Sequence, residues 1–425
     1  MDAVAGVASR FATPTIDRSA DQAKLDLSRR SRTSLFPWRG QFSPELVELL
    51  VEDLPDGLIV DPFVGSGTTL YEAGRIGVDA VGAEINPAAL CFAVLSDLAS
   101  QPADYRLEVG RLAASAVAGA MRGESVGGLF EEPGADAAHD DSAAVRCVLA
   151  DNADQPDVAD LVRAALLLAM GQTSSVKMGS LAKELSAVRR LLEGLPHTSG
   201  QRRAVGADAR RLPLDDGSAS AAVTSPPYIN VFNYHQHYRP AVELMGAGPL
   251  AVAQAELGSN RKHRQNRFLT VVQYAMDMAD ALGELHRVLA ERGVAKTVVG
   301  RESNVRGVPF RNGHLIATLA EGCGAFEVER WQERRFTTRF GESIYEDVLT
   351  LRRTSVLRPV DGFDARATGV WALEQALAGG LASDVLSDVE AAIDKADLVV
   401  RSPMFEPSSV PWMQDRDWAI SRRSA

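Results

Sequence analysis

The alternation of short apolar runs with helical segments is the feature that most constrains the fold of this chain. Residues 57–61 (Gly-Leu-Ile-Val-Asp) form a run of the buried-strand type, and glycines at 65 and 67 follow it. A helical segment begins at Thr68, and a second apolar run covers residues 78–85. This strand–helix–strand order is typical of a parallel sheet with helices on both faces. We therefore predict a doubly wound α/β protein.

Further apolar runs extend the predicted sheet beyond a long interruption. Strands are predicted at residues 204–207, 221–224, 294–300 and 348–351, the last of them closing the sheet. Amphipathic helical patterns at residues 159–170 and 181–192 lie within the interruption, and others occur in the tail. The expected organisation is a flexible N-terminal arm (1–33), a catalytic domain (34–100 and 201–354), a helical insertion (101–200) and a C-terminal helical extension (355–425).

The charge balance of the chain bears on how it could bind nucleic acid. The 425 residues carry 45 Lys and Arg against 56 Asp and Glu, a net charge of −11. This acidic excess argues against a protein that coats nucleic acid without sequence preference. Local basic clusters matter more than the total for a DNA enzyme, and they occur at residues 202–203, 210–211, 261–267 and 330–339.

The sequence carries no sign of a membrane or extracellular location. Its first residues lack the basic and then apolar pattern of a signal peptide, and no apolar run approaches the ~20 residues that span a bilayer. The three cysteines are far apart and lack the spacing of metal ligands. We expect a cytoplasmic protein with no membrane partner and no bound metal, and its oligomeric state is left open.

The turn at residues 61–69 (Asp-Pro-Phe-Val-Gly-Ser-Gly-Thr-Thr) is the first motif with chemical content. Gly65 and Gly67 allow the backbone to turn tightly after a strand and to approach a ligand closely. The N–H groups at the start of the next helix are free to bind a polar group. No Gly-Lys-Ser/Thr follows, which excludes a Walker-type ATP site. Glu84 ends the next strand, where an acid can accept hydrogen bonds from both ribose hydroxyls of an adenosyl group.

A third motif, Thr224-Ser225-Pro226-Pro227-Tyr228, directly follows a predicted strand. It resembles motif IV of the DNA amino-methyltransferases, and residues 61–69 resemble their cofactor motif I. The Ser-Pro-Pro-Tyr version is similar to that of the cytosine-N4 branch, whereas adenine-N6 enzymes more often carry Asp or Asn first. The resemblance covers residues 34–100 and 200–353, with residues 36–44 as motif X, and leaves out the insertion and the tail.

The resemblance implies a fold, a cofactor and a set of binding residues. The fold is a Rossmann-like class I methyltransferase domain with a mostly parallel sheet of the seven-stranded type, and the cofactor is S-adenosylmethionine. Asp61 is expected near the methionine amino group, and Asp208 near the adenine N6. The expected cofactor-binding residues are Phe42, Asp61, Phe63, Gly65, Ser66, Gly67, Thr68, Glu84 and Asp208.

The physical chemistry of amine methylation accounts for the third motif. The exocyclic amine of cytosine is a poor nucleophile because its lone pair is delocalised into the ring. We expect the Ser225 hydroxyl and the Pro226 carbonyl to accept its two N–H bonds and to direct the lone pair at the sulfonium methyl. Pro226 and Pro227 fix the backbone, and the Tyr228 ring offers a face for a flipped base. These four residues are the predicted catalytic residues.

Two segments after this motif have the composition of a DNA-binding surface. Residues 230–239 and 261–267 mix aromatic, amide and basic side chains, which suit contacts with bases and phosphates of double-stranded DNA. A solvated basic loop is the alternative interpretation. His235 and His237 have no evident third metal ligand. The predicted substrate-binding residues are Asn230, Tyr234, His237, Arg239, Arg261 and Arg264.

Several alternative functions remain open. Adenine-N6 DNA methylation is the main competitor, and RNA guanine-N2 enzymes share the glycine turn but usually carry Asp-Pro-Pro-Tyr. A non-catalytic DNA-binding or adaptor subunit on the same fold is the alternative of a different class, opposed by the intact glycines and Glu84. Cytosine-C5 methylation needs a Pro-Cys nucleophile, and no cysteine here follows a proline. A restriction or defence-system partner is also left open.

Overall fold

The computed structural model describes residues 1–27, 32–123, 140–229, 234–259, 263–337 and 341–413. Within these ranges the strands form one seven-stranded sheet and a separate two-stranded hairpin. The strands are β1 (Ile59–Asp61), β2 (Ala80–Ala83), β3 (Arg202–Val205), β4 (Ala219–Thr224), β5 (Leu289–Gly300), β6 (Glu302–Val305), β7 (Val308–Arg311), β8 (Phe326–Thr337) and β9 (Ser343–Arg353).

The large sheet has the order β3-β2-β1-β4-β5-β9-β8, and β6 pairs with β7 in the hairpin. The first five strands of that order run parallel, whereas β9 is antiparallel to both β5 and β8. The strand order reverses between β1 and β4, which opens a crevice at the carboxyl ends of these strands. The predicted fold class, a mostly parallel doubly wound sheet of the seven-stranded type, is confirmed.

Helices cover both faces of the sheet. None of the described helices is long and apolar enough to cross a membrane. The helices are α1 (Asp2–Ser9), α2 (Gln22–Leu25), α3 (Pro44–Val51), α4 (Thr68–Arg75), α5 (Pro87–Ala93), α6 (Leu95–Ala99), α7 (Ala103–Met121), α8 (Ser142–Asp151), α9 (Pro156–Met170), α10 (Met178–Glu193), α11 (Arg239–Leu244), α12 (Pro249–Ala255), α13 (Leu269–Val288), α14 (Asn312–Gly322), α15 (Ala365–Ala378) and α16 (Ser383–Asp394).

Two hydrophobic cores lie on opposite faces of the sheet. Successive residues of a strand point to opposite faces, so Ile59 of β1 packs in the first core and Val60 in the second. Phe92 of α5 belongs to the first core, and Tyr274 of α13 to the second. This division explains why the parallel strands read as continuous apolar runs and not as an alternating pattern.

The insertion is helical, as its sequence predicts, but it shares the first core with the sheet. Helix α9 is buried along most of its length, and it packs against α5, α7 and α10. Leu161 of α9 and Leu185 of α10 lie in the same cluster as Ile59. The described helices of the insertion add no strand to the sheet, and they pack on α5 and α6, which belong to the same core. Residues 124–139 of the insertion lie outside the described residues.

The N-terminal segment is ordered in place of the expected flexible arm. Val4 and Val7 of α1 are buried, and α1 packs against α14. Farther along, the Asp17 N–H donates a hydrogen bond to the Trp331 carbonyl of β8 at 2.8 Å. The segment therefore covers the edge strand of the sheet, whose backbone groups would otherwise lack partners.

The far edge of the sheet also differs from the prediction. Residues 348–351 were expected to close the sheet, but β9 lies between β5 and β8, and β8 forms the edge. Strand β8 carries charged residues such as Glu327, Glu329 and Arg330 among its apolar ones. An edge strand tolerates such side chains because one side of it is not flanked by another strand, so no continuous apolar run marks it.

Candidate active site

One cavity lies at the carboxyl ends of β1, β2, β3 and β4, where the turns after these strands meet. This is the edge at which open α/β sheets bind their ligands. Residues 38–42 close one side of it, and residues 256–257 another. The predicted site residues that line the cavity are Phe42, Phe63, Gly65, Ser66, Thr68, Glu84, Asp208, Ser225, Pro227 and Tyr234. The structure therefore brings the glycine turn and the Ser-Pro-Pro-Tyr motif to the same cavity.

A larger groove of about 1300 Å³ lies elsewhere, beside the amino ends of β2 and β3. Insertion residues such as Arg146 and Asp157 line it together with Trp412 near the C-terminus. It contains none of the three sequence motifs, and it lies at the edge of the sheet opposite to the usual ligand position. The motif-lined cavity is therefore the candidate active site.

The two glycines of the turn have different roles. Both have positive φ, 55° at Gly65 and 92° at Gly67. Gly65 lines the cavity beneath the Trp38 ring, whereas Gly67 does not line it. A Cβ at Gly67 would lie 2.9 Å from the Ala93 Cα. Gly67 is therefore required by the packing of α4 against α5, which corrects the expectation that it approaches the methionine part of the cofactor.

Asp61 is buried beneath the cavity and does not line it. Its carboxylate accepts hydrogen bonds from Thr69 Oγ1 at 2.6 Å, Thr224 Oγ1 at 2.7 Å and the Phe63 N–H at 3.0 Å. Burial raises the pKa of Asp61 to about 6, and the hydrogen bonds oppose that rise. Because the Asp61 carboxylate does not line the cavity, this orientation does not place it in contact with the methionine amino group of a bound cofactor. The carboxylate instead ties the glycine turn to β4.

Glu84 faces the cavity, as predicted. Its two carboxylate oxygens accept hydrogen bonds from the Gly65 N–H at 2.9 Å and the Asn86 N–H at 2.7 Å. Burial raises the pKa of Glu84 to about 7, against the effect of these backbone hydrogen bonds. A carboxylate has about four lone-pair sites, so acceptor capacity remains for ribose hydroxyls. Together with the apolar walls at Phe42 and Phe63, this donor and acceptor set fits an adenosyl cofactor.

Asp208 lines the same cavity but is engaged in an ion pair. Arg210 donates three hydrogen bonds to its carboxylate, from the backbone N–H at 3.0 Å, from Nε at 2.9 Å and from Nη2 at 2.7 Å, and the Phe405 N–H donates a fourth at 3.0 Å. Burial opposes ionisation, but the contact with Arg210 lowers the pKa of Asp208. Most of its acceptor capacity is therefore used within the protein, and the expected contact with the adenine N6 stays a prediction.

The Ser-Pro-Pro-Tyr motif divides between the cavity and the protein interior. Ser225 and Pro227 line the cavity, whereas Pro226 and Tyr228 do not. The Tyr228 ring packs against Gly300, where a Cβ would lie 3.1 Å from the ring. Its hydroxyl lies 3.5 Å from Ser225 Oγ, and burial raises the pKa of Tyr228 to about 12, so it stays protonated at neutral pH. The Tyr228 ring is not in a position to stack on a ligand in this arrangement.

Trp38 and Glu256 line the cavity, and the sequence analysis missed both. The Trp38 and Tyr234 rings are nearly parallel, at 13°, with centroids 6.3 Å apart. The cavity therefore has an aromatic wall, although Tyr234 and not Tyr228 supplies it. Trp38 lies in the segment that resembles motif X, which was a usable signal. Glu256 stands outside every motif, and no local pattern marks it.

Of the other predicted substrate-binding residues, those that the structure describes do not line the cavity. His237 Nδ1 lies 3.2 Å from Gln172 Nε2 of the insertion, and Arg239 pairs with Glu243 at 2.7 Å. Arg264 is exposed. Asn230 and Arg261 lie outside the described residues.

In three of the four basic clusters, some of the arginines are buried or form ion pairs within the protein. Arg202 and Arg210 are buried, with 5% and 9% of their surface exposed. In the 330–339 cluster, Arg330 pairs with Asp17 at 3.1 Å and Arg334 with Glu346 at 2.5 Å. Arg202, Arg210 and Arg334 are therefore not available to a DNA phosphate, whereas the Arg330 side chain remains 41% exposed. Among the described residues of the 261–267 cluster, Arg264 and Arg267 are exposed.

His235 belongs to the protein interior and not to a metal centre. It is buried, and its Nδ1 lies 2.9 Å from Glu256 Oε2. Across the described part of the chain, no group of three His, Cys, Asp or Glu residues is arranged to hold a metal ion.

Comparison with known families identifies the first part of the site. Residues 17–94 match a family model described as DNA methylase. The match is a similarity over this segment, which is less than a fifth of the chain. The segment includes the predicted motif X, the glycine turn and Glu84. The resemblance to the DNA amino-methyltransferases is thereby confirmed, with S-adenosylmethionine as the cofactor that this DNA methylase family implies.

One known protein is similar to a short segment of this chain. The chain is 38% identical over 68 residues to the Type II methyltransferase M.MjaII of Methanocaldococcus jannaschii. The match covers 14% of this chain and 13% of the relative. The similarity therefore covers a small part of both proteins and does not assign an activity to the whole chain.

Solved structures resemble the chain more weakly. A SAM-dependent methyltransferase from Methanosarcina mazei has a TM-score of 0.33 at 14% identity, with coverage of 72% of this chain and 96% of its own. TrmN from Thermus thermophilus has a TM-score of 0.31 at 13% identity, with coverage of 74% and 50%. The fold assignment rests on the strand order described above and not on these scores.

Proposed function

We propose that this chain is a DNA methyltransferase that transfers a methyl group from S-adenosylmethionine to the exocyclic N4 amine of cytosine in double-stranded DNA. The observation that supports this best is the placement of two motifs at one cavity. Ser225 and Pro227 line the same cavity as Gly65 and Glu84. A cofactor held at the glycine turn and an amine held at Ser225 would therefore meet.

Different residues around the cavity bind the cofactor and orient the target amine. When bound, S-adenosylmethionine supplies an electrophilic methyl group on a sulfonium. Glu84 accepts hydrogen bonds from the ribose hydroxyls, and Ser225 Oγ accepts one from the target amine. Holding the amine and the methyl donor in line accounts for much of the rate enhancement, because the reaction becomes effectively intramolecular. The Trp38 and Tyr234 rings exclude water from the cavity.

The serine favours cytosine as the target base. A neutral hydroxyl accepts an amine hydrogen bond without placing a full negative charge beside the N3 and O2 lone pairs of cytosine. Burial keeps the neighbouring Tyr228 phenol protonated, so the Ser225 surroundings carry no charge from that side either. Adenine N6, which lies beside a ring nitrogen in the same way, is the second candidate target.

Nucleoside analysis of modified DNA tests the proposal. Genomic DNA from cells that express the chain, and from cells with an empty vector in a host without DNA methyltransferases, is digested and examined by mass spectrometry. The proposal expects N4-methylcytosine in the first sample alone. N6-methyladenine without N4-methylcytosine would reassign the target base. If neither modified nucleoside forms from any duplex, the RNA methyltransferase and adaptor alternatives gain support.

A further inference from the structure

A buried histidine–carboxylate pair borders the candidate active site and is not used by the function proposed above. Glu256 is 6% exposed and lines the cavity, and His235 behind it is 2% exposed. His235 Nδ1 lies 2.9 Å from Glu256 Oε2. A carboxylate kept in an interior cavity loses much of its hydration, so its retention beside a reactive site points to a use for the charge.

The hydrogen bonds of His235 define how the pair is held. Gln236 Nε2 lies 3.1 Å from His235 Nε2, and an amide nitrogen can only donate. His235 Nε2 is therefore the acceptor, and the ring proton is on Nδ1. That proton is donated to Glu256, and the hydrogen bond orients the carboxylate. His235 is thus a positioning residue for Glu256.

The origin of Glu256 in the chain links it to the target side of the cavity. Apart from Phe42, the groups expected to bind the cofactor come from the turns after β1, β2 and β3. Glu256 instead follows α12, in the stretch after β4 that also supplies Ser225 and Tyr234. Among the described residues, the charged and titratable groups that interact with Glu256 include Glu84, Tyr234 and His235.

Amine methylation releases a proton, and the Ser-Pro-Pro-Tyr motif has no group that can take it up. An amine that gains a methyl group must lose one proton to become the neutral product. The Ser225 hydroxyl accepts a hydrogen bond but does not take up a proton at neutral pH, and the protonated Tyr228 phenol does not either. A carboxylate in the same cavity can accept this proton.

We infer that Glu256, positioned by His235, is the catalytic base that accepts the proton of the target amine. The N–C bond forms with the amine lone pair, and the C–S bond breaks with its electron pair remaining on sulfur. The N–H bond then breaks with its electrons remaining on nitrogen, and the proton passes to a Glu256 oxygen and later to solvent. This inference rests on the proposed DNA methyltransferase function.

The test measures single-turnover transfer of tritiated methyl from S-adenosylmethionine to unmethylated genomic DNA, at saturating cofactor, from about pH 6 to about pH 9. Glu256→Gln preserves shape and removes the base, and we expect a rate about 10²- to 10⁴-fold below wild type across this pH range. Affinity for S-adenosylhomocysteine, by calorimetry, should change by less than about threefold. The exposed Glu390→Gln on α16 is the matched control and should behave as wild type.

The positioning role of His235 is tested by a second pair of variants. His235→Leu removes the hydrogen bond to Glu256 and should slow transfer by about tenfold or more. His235→Asn places an amide donor near the position of Nδ1 and should restore part of the rate. This pair leaves Glu256 in the chain, so it tests the idea even if Glu256→Gln folds poorly.

Three outcomes would overturn the inference. If Glu256→Gln transfers methyl groups at the wild-type rate and with the wild-type pH profile, the inference is contradicted, whereas the proposed function stands. Loss of S-adenosylhomocysteine affinity with an unchanged saturating rate would make Glu256 a cofactor ligand. Wild-type protein that methylates no DNA contradicts the proposed function, and the inference with it.

Discussion

Thr224 Oγ1 donates a hydrogen bond of 2.7 Å to Asp61 Oδ1, and both residues are almost fully buried. Asp61 is the last residue of β1, and Thr224 is the last residue of β4. The next residue after Thr224 is Ser225, and the glycine turn follows Asp61. This one contact therefore fixes the cofactor turn relative to the group that is expected to hold the target amine.

We predict that Thr224→Val, which is nearly isosteric, uncouples these two turns. It leaves a buried carboxylate oxygen without its hydroxyl donor, at a cost of ~1–3 kcal/mol in the free energy of unfolding. Methyl transfer should fall by about tenfold because Ser225 loses its fixed position. Denaturant unfolding and single-turnover kinetics measure the two effects. Thr224→Ser keeps the hydroxyl and is the control, and equal behaviour of the two variants would contradict the prediction.

Cofactor affinity should depend on pH through Glu84. Burial raises its pKa to about 7, so the free protein holds this carboxyl protonated below that pH and ionised above it. Ribose hydroxyls donate more strongly to the ionised form. Affinity for S-adenosylmethionine should therefore rise as the pH increases through about 7, with proton release on binding.

Calorimetry in two buffers of different ionisation enthalpy measures both the affinity and the proton release. Glu84→Gln should bind at least about tenfold more weakly and should lose the pH dependence, because an amide does not titrate in this range. A pH dependence that persists in Glu84→Gln would assign it to another group.

Ser225→Ala separates substrate orientation from cofactor binding. The variant removes the acceptor for the target amine, and turnover should fall by about ten- to a thousandfold, the range for one positioned hydrogen-bonding group. Affinity for S-adenosylmethionine should stay nearly unchanged, because Glu84 and the glycine turn are untouched. A variant that loses cofactor affinity and transfer together would contradict the placement of Ser225 at the target amine.

The sequence predicts the central part of the fold well for a physical reason. Strands buried on both faces must be apolar along their whole length, so β1, β2, β4 and β5 can be found as apolar runs. Edge strand β8 has no such requirement, and its charged residues concealed it. The N-terminal segment was missed for a related reason. Its order comes from pairing with β8, a contact between residues 17 and 331 that no local pattern reveals.

In the candidate site too, local motifs predict some residues correctly, whereas the roles of others depend on contacts with distant parts of the chain. Glu84 and Ser225 follow strands in recognisable motifs, and both face the cavity. Gly67 and Asp61 belong to a motif too, yet their roles are set by Ala93 and Thr224, which come from other parts of the chain. Motif position therefore predicts which turn forms the site, but not which atoms of that turn face a ligand.

Arg210 provides a last prediction because it joins Asp208, which lines the cavity, to the C-terminal extension. Its guanidinium contacts Asp208 at 2.7 Å and Asp277 at 3.2 Å, and it donates to the Ser402 carbonyl at 2.7 Å. Only 3% of its side chain is exposed, so it is not available to a DNA phosphate. Its role is to neutralise two buried carboxylates and to hold the tail beside them.

Arg210→Leu should therefore destabilise the protein by ~3–5 kcal/mol, because it leaves two buried acids without their cationic partner. Chemical denaturation measures the loss, and calorimetry should show weaker cofactor binding as Asp208 and Phe405 lose their fixed positions. The adjacent, exposed Arg211→Leu should change stability by no more than ~0.5 kcal/mol. A DNA-contacting role predicts the opposite result, in which Arg210→Leu keeps its stability and the salt dependence of DNA binding decreases.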